Sequence, residues 1–348
     1  MRRRSRPGLG EVLPLLLALG FAVELALSLT IGAYPVSPLT VVRILAHLAL
    51  PVPLPASPPW SGTELVIVQS VRLPRVLVAS IAGGGLGLSG AALQGLFRNP
   101  LVGPDIIGVS GGAACGGVLA IVLGVSSGLV VAFAFVGGLV ATALAAGLAR
   151  AIRAAGALTI VLAGVIVGGF FSALLTLAEY VADPQSTLPT IVYWLLGSFA
   201  DVDRTKAITI GLVTLVGGGL IVALRWRINL LSLGDTDAAS LGVKPGRLRW
   251  VILALVALIV AAQVAVSGIV GWVGLIVPHM TRFVVGPDHR RLLPASALVG
   301  AGFMLGIDDL TRSVANQELP IGLVTALIGT PAFAVLLWRT HRVGWREQ

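Results

Sequence analysis

The side chains that could carry chemistry are few in this sequence, and their spacing assembles no reactive centre. Two lysines occur, Lys206 and Lys244, and neither closes a glycine-rich Gly-Lys-Ser/Thr loop, so no stretch is built to cradle nucleotide phosphates. The four histidines, His47, His279, His289 and His341, fall at no metal-ligand spacing, and no Ser/His/Asp set follows from position. Cys115, the single cysteine, lies in an apolar glycine-rich run and has no second thiol for a disulfide. No catalytic set, no metal and no cofactor bound by this chain are therefore expected. What remains are carboxylates inside or beside apolar runs: Glu24 in mid-run, then Glu179, Asp308 and Asp309 near run ends. Burying such groups in hydrocarbon is costly, which makes each a candidate for function or for a polar contact between helices. An isolated Glu24 is a thin basis for proton coupling; a contact with a neighbouring helix or a water-filled gap is the favoured reading.

These residues must be positioned by strongly apolar elements. Of 348 residues, 56% are hydrophobic and 11% charged, with mean hydropathy +0.98, against roughly 25% charged in a soluble domain. A water-soluble globule is excluded. About 20 apolar residues make one helical crossing of a ~30 Å hydrocarbon layer. Apolar windows predict crossings over 12–31, 73–97, 106–124, 128–149, 157–180, 206–224, 249–267, 269–285, 292–313 and 320–338. The expected class is an all-α polytopic membrane protein with about ten transmembrane helices, a single domain over 1–348, and no soluble domain. The first run, Val12 to Ile31, is long enough to span and is read as a retained helix rather than a cleaved signal.

Ten crossings put both termini on one side. Six of the 24 basic residues (Arg43, Arg72, Arg75, Arg204, Lys206 and Arg312) then fall opposite, and the rest, including Arg2, Arg3, Arg4 and Arg153, share the terminal side. The positive-inside rule makes that side cytoplasmic. The net charge of +9 and pI near 11.1 reflect this topology, and no nucleic-acid partner is expected because the arginines form no continuous face.

Residues 33–63, rich in proline, predict a short helix between stiffened extended pieces, and 183–203 predicts a half-helix over Ile191 to Phe199. Small residues recur every fourth position at Ala79, Gly83, Gly87, Ala91 and Gly95, and again at Gly108, Gly112, Gly116, Ala120 and Gly124. Such ridges let helix backbones approach closely where lipid supplies no hydrophobic drive. The repeated Val-Gly-Pro-Asp at 102–105 and 285–288 predicts helix N-caps at both acids.

Four stretches carry more than packing. They are Arg72-Leu-Pro-Arg75 leading to Gln94, Asn99-Pro100-Leu101 and Gly108-Val-Ser-Gly-Gly112; Leu233-Gly-Asp-Thr-Asp-Ala238-Ala-Ser-Leu241-Gly242; Gly274-Leu-Ile-Val-Pro278-His279-Met-Thr-Arg282; and Glu318-Leu-Pro320-Ile-Gly322 continuing to Thr325, Gly329, Pro331 and Phe333. In this order, over roughly 70–340, they resemble the FecCD family, the permease subunits of binding-protein-dependent type II ABC importers for cobalamin, haem and ferric siderophores. The resemblance implies a homodimer whose pathway lies between two copies in the inner membrane. It also implies two separate ATP-binding subunits that use ATP and magnesium, and a periplasmic or lipid-anchored substrate-binding protein.

By the same resemblance, Arg72, Arg75 and Arg312 would dock the binding protein through its glutamates. The segment 229–243, with Leu233, Gly234, Asp235, Ala238, Leu241 and Gly242, would couple to the ATPase. Asn99 and Leu101 would form a cytoplasmic gate, with a second gate loop falling at 157–159, where the residues depart from the polar pattern of some relatives. Gly168, Phe170, Phe171, Ser172 and Thr176 would line the pathway. Haem or an iron siderophore is the expected cargo and cobalamin the alternative within the family; an ion-coupled secondary transporter is the alternative outside it.

Overall fold

The computed structural model describes residues 9–50, 58–152, 157–314 and 318–344. Arg2, Arg3, Arg4, Arg153, Pro51, Pro53 and Pro55, which entered the topology and loop readings, lie outside the described residues. The described chain is helical: α1 (Leu9–Ser28), α2 (Pro38–Ala49), α3 (Gly62–Val66), α4 (Leu73–Phe97), α5 (Val109–Val122), α6 (Ser127–Ala151), α7 (Ala157–Val181), α8 (Thr187–Leu196), α9 (Arg204–Ala223), α10 (Arg225–Leu231), α11 (Asp235–Ser240), α12 (Pro245–Ser267), α13 (Val273–Val285), α14 (His289–Ser313) and α15 (Ile321–Gly344). A π-helical turn, Ile67–Arg72, joins α3 to α4, and a 3-10 turn, Pro104–Ile107, precedes α5.

A helix lies at each of the ten expected crossings. Among the described residues, six helical runs are long and apolar enough to span by themselves: Gly62–Phe97, α6, α7, α9, α12 and α14. The expected spans 106–124 and 269–285 are shorter than the pattern implied. At ~1.5 Å per residue, α5 and α13 reach only about 20 Å. Each is cut at its start by backbone that cannot continue a helix: Pro104 and left-handed Gly108 before α5, Gly268 and Trp272 at positive φ before α13. Such irregular backbone is tolerated at membrane depth when protein covers it. Here α5 packs against α6, α7 and α12, while α13 packs against α4, α14 and α15.

The buried centre is α4, which contacts α14, α13, α9 and α12. Its expected ridge is the reason. Gly83 and Gly87 abut the backbone of Gly300 and Ser296 on α14, where any β-carbon would collide. On α5, Gly112 and Gly116 press against Gly137 and Phe133 of α6 in the same way. Both ridges therefore serve close helix approach.

Caps set the remaining boundaries. Ser37 accepts the Thr40 amide to start α2, and Ser61 with Glu64 forms a reciprocal box at α3. The half-helix in 183–203 begins earlier than expected and stops at Leu196, because Gly197 (φ 77°) turns the chain out. Of the two Val-Gly-Pro-Asp acids, Asp288 caps α14 through the Arg290 amide. Asp105 does not cap α5; the 3-10 turn displaces it, and it accepts the Ser110 hydroxyl at 2.7 Å instead.

Candidate functional site

Four groups of residues frame the candidate site. At the Arg-poor face, the π-helical turn delivers Arg72, α4 delivers Arg75, and α14 delivers Asp308, Asp309 and Arg312. Arg72 donates to the carbonyls of Leu29 (3.0 Å), Thr30 (3.2 Å) and Tyr34, closing the end of α1 and the turn after it. Arg75 reaches Asp308 through Nε (2.9 Å) and Nη2 (2.8 Å), and Glu318 through Nη1 (2.6 Å). Arg312 pairs with Asp308 (3.1 Å) and Asp309, and donates to Ile31 O (2.8 Å) and Ser28 Oγ (3.0 Å).

Asp308 is fully buried, Arg72 and Arg75 are 4 and 5% exposed, and the Arg312 side chain is 6% exposed. The docking expected of these three arginines therefore meets a geometry in which they are already engaged. Their forks are filled from within, by a neighbouring carboxylate or by helix-end carbonyls that would otherwise lack partners. In this conformation they present no open donor pair to a protein docking from outside. Glu318, about 40% exposed at its side chain, is the member of the cluster that meets solvent.

On the opposite face, the segment expected to couple is two short helices. α10 ends at Leu231, and Gly234 (φ 126°) and Gly242 (φ 82°) bracket α11. Leu233 and Leu241 are exposed, whereas Ala238 is fully buried. The outward face thus consists of Leu233 and Leu241 with Asp237, and Ala238 holds the segment to the bundle. Asp235 is not free either: both its oxygens accept from Arg249 of α12, at 2.6 and 2.8 Å. That pairing holds the Asp235 carboxyl below the ordinary carboxylate range.

Because the folded-state value is depressed, the pair contributes at any pH above the ordinary carboxylate range. Its contribution is lost only as pH falls through the depressed value. Asp235→Asn is expected to cost about 1 kcal/mol, because Asp235 is half exposed and solvent screens the pair. The difference in thermal stability between wild type and variant should be constant from neutrality to mild acid and vanish only in strong acid.

Sequence reasoning missed the clamp behind this segment. Asn229 of α10 donates to Asp288 (3.0 Å) and accepts the His289 amide (3.1 Å), tying α10 to the start of α14. Arg282 of α13 reaches Gln94 of α4 (3.2 Å), which also donates to Leu275 O. Each pair joins residues 59 or more positions apart, beyond any local pattern. Just beyond Gln94, Asn99 Oδ1 accepts the Leu101 amide (2.9 Å), and Leu101 is exposed. The gate candidates therefore form a tight turn with an apolar tip.

The pathway candidates on α7 divide. Phe170, Ser172 and Thr176 lie on its exposed side, but Phe171 is buried among Ala141, Ala145 and Val167, and Gly168 sits over Gly108, just before α5. Helical spacing explains the split: Gly168 and Phe171, three apart, share the face that packs inward. His279 lies edge-on to the rings of Phe283 and Phe333, and among the described residues neither of its buried ring nitrogens has a hydrogen-bond partner.

The FecCD transport family model matches residues 20–339. The chain belongs to the FecCD family. The FecCD chain is 42% identical over 331 residues to the molybdate import system permease protein MolB of Haemophilus influenzae, covering 95% of this chain and 96% of that one. It is 40% identical over 279 residues to the cobalamin import system permease protein BtuC of Halobacterium salinarum, covering 79% and 74%. With the hemin transport system permease protein HmuU of Yersinia pestis it shares 38% over 278 residues, covering 78% and 82%. Among solved structures it superposes, with TM-score 0.83 and 40% identity over 94% of this chain and 99% of the other, on a chain described as an inward-facing metal-chelate type ABC transporter. The FecCD chain is thus an all-helical permease of the type II ABC importer architecture.

Proposed function

We propose that this chain is the passive conduit of an ATP-driven importer that carries a metal, as an oxyanion or in a chelate, across the inner membrane. Two copies would enclose the pathway, separate ATPase subunits would power it, and a substrate-binding protein would deliver the cargo. The face of α7 that carries Phe170, Ser172 and Thr176 is the observation that carries the reading. It is exposed, mixes aromatic and hydroxyl groups, and holds no charge between Gly169 and Thr176. Such a wall lets a cargo pass without holding it, leaving selection to the binding protein. The exposed Leu233 and Leu241 at the glycine-bracketed turn are the groups available to an ATPase groove on the face of the basic excess, which the positive-inside rule makes cytoplasmic.

Molybdate leads the cargo readings, because the relative named for it aligns over nearly the full length of both chains. Haem or a ferric siderophore is the second reading. It is favoured by the hemin permease relative and by two Helicobacter pylori relatives named for iron chelatin transport, one of them 39% identical over 279 residues. The test is uptake by the full complex in proteoliposomes, with molybdate, haem, ferric siderophores and cobalamin offered side by side. Accumulation is expected only with ATP, ATPase and binding protein present, and is expected to survive an uncoupler. Accumulation by the isolated chain under an ion gradient would refute the conduit reading and restore the secondary-transporter alternative.

A further inference from the structure

At the face of the basic excess, a cavity of about 410 Å³ opens between α10 and the start of α12. Its rim carries Arg227, Lys244 and Arg247, and no acidic residue lines it. None of the three has an ion-pair partner among the described residues, unlike Arg249 one turn away, which is occupied by Asp235. Below the rim the walls are apolar: Leu224, Leu248 and Val251. From Leu224 the apolar wall continues along α9 through Leu220 and Val216, spaced four apart and half or more exposed. Two tryptophans flank the rim in sequence, Trp226 beside Arg227 and Trp250 beside Val251. Each indole lies under a guanidinium, Arg290 at 5.5 Å and Arg150 at 4.8 Å. Amphipathic rings stacked this way mark the headgroup level of a bilayer.

We propose that this cavity is a binding site for one anionic phospholipid. The three cations would hold its phosphodiester and acidic headgroup, and its acyl chains would lie along the apolar ridge of α9. Three unpaired cations over a descending apolar wall complement both ends of such a lipid. A small inorganic anion would leave Leu224, Leu248 and Val251 uncovered. Acidic side chains of a docking protein would meet the cations from the aqueous side and would not use the groove that runs toward the hydrocarbon.

The test uses the full chain, delipidated in neutral detergent and titrated with phosphatidylglycerol or phosphatidylcholine under native mass spectrometry. It needs neither cargo nor nucleotide, so its outcome is independent of the transport reading. The wild type is expected to hold one phosphatidylglycerol in preference to phosphatidylcholine, and millimolar inorganic phosphate should not displace it. Arg227→Gln/Arg247→Gln should weaken that binding about 25-fold, at about fivefold for each cation. Arg227→Lys/Arg247→Lys should retain it. Arg98→Gln/Arg225→Gln, which removes equal charge from the same face outside the cavity, should weaken it less than about threefold, since only the general surface field changes. Equal loss in both Gln pairs, displacement by phosphate, or no preference between the lipids would each overturn the site. So would unchanged lipid binding in Arg227→Gln/Arg247→Gln coupled with loss of ATPase association, which would assign the cations to a protein partner.

Discussion

Asp308→Ala is expected to destabilise the protein by about 3 to 5 kcal/mol, the range for removing one partner from a buried ion cluster. Asp308 has no exposed surface, and its two oxygens are shared between Arg75 and Arg312, both nearly sealed from solvent. Without the carboxylate, two guanidinium groups face each other across a buried space, with only Asp309 and the half-exposed Glu318 to balance them. At about 2 °C per kcal/mol for a chain of this size, the melting temperature in detergent should fall by about 6 to 10 °C. Glu318→Ala should lower it by about 2 °C or less, because solvent replaces that partner. Arg75→Met/Asp308→Leu should cost less than the two single changes added together, since it removes two opposite charges at once. A melting temperature for Asp308→Ala within about 2 °C of wild type would show that the cluster holds nothing together.

This cluster also decides how charge reversal at the rim is to be interpreted. Arg72→Glu would place a carboxylate against the carbonyls of Leu29, Thr30 and Tyr34. Arg75→Glu would set it against Asp308 and Glu318. Both changes are expected to disturb the outer end of the bundle before any partner arrives. Loss of binding-protein association therefore supports docking through these arginines only in variants whose melting temperature is preserved. Docking by these residues requires that they first release their internal partners.

The order and placement of the helices were legible because the apolar runs are long and are punctuated by Pro, Gly and charge. The four-residue ridges on α4 and α5 were legible for the same reason: close backbone contact leaves a local signature in residue size. Two kinds of feature escaped. Where a helix starts late, as α5 and α13 do, hydropathy sees the apolar loop before it as part of the span, and only the positive φ of Gly108 and Trp272 marks the break. Where a polar side chain pairs with a distant one, composition gives its type but not its direction. Arg75 reads as a rim cation until Asp308, 233 residues later, is seen against it. The same holds for Ala238 and Phe171, named with the coupling segment and the pathway, whose burial in this chain no local pattern shows. Each shares a helix with exposed neighbours, and the elements packed against it decide which side is inward.

A matched pair of glycine substitutions separates close approach from mere helix composition. Gly90 of α4 faces Gly274 near the start of α13, and a β-carbon there would fall inside the radius of the Gly274 carbonyl. The obstacle is backbone, so no rotamer change relieves it. Gly274 is itself confined by Pro104 and the Leu86 carbonyl, so α13 has little room to retreat. Gly90→Ala is therefore expected to cost about 3 kcal/mol, the upper end for overpacking a core, and to lower the melting temperature by about 6 °C. Gly219 on α9 has nothing within 4 Å of the position a β-carbon would take. Gly219→Ala should be neutral or stabilising by up to about 1 kcal/mol, because alanine loses less freedom on entering a helix. Transport should follow the same split, since moving α13 shifts Arg282 off Gln94, next to the turn that presents Leu101. If both variants melt at or above the wild-type temperature, the α4–α13 contact is looser than the structure requires.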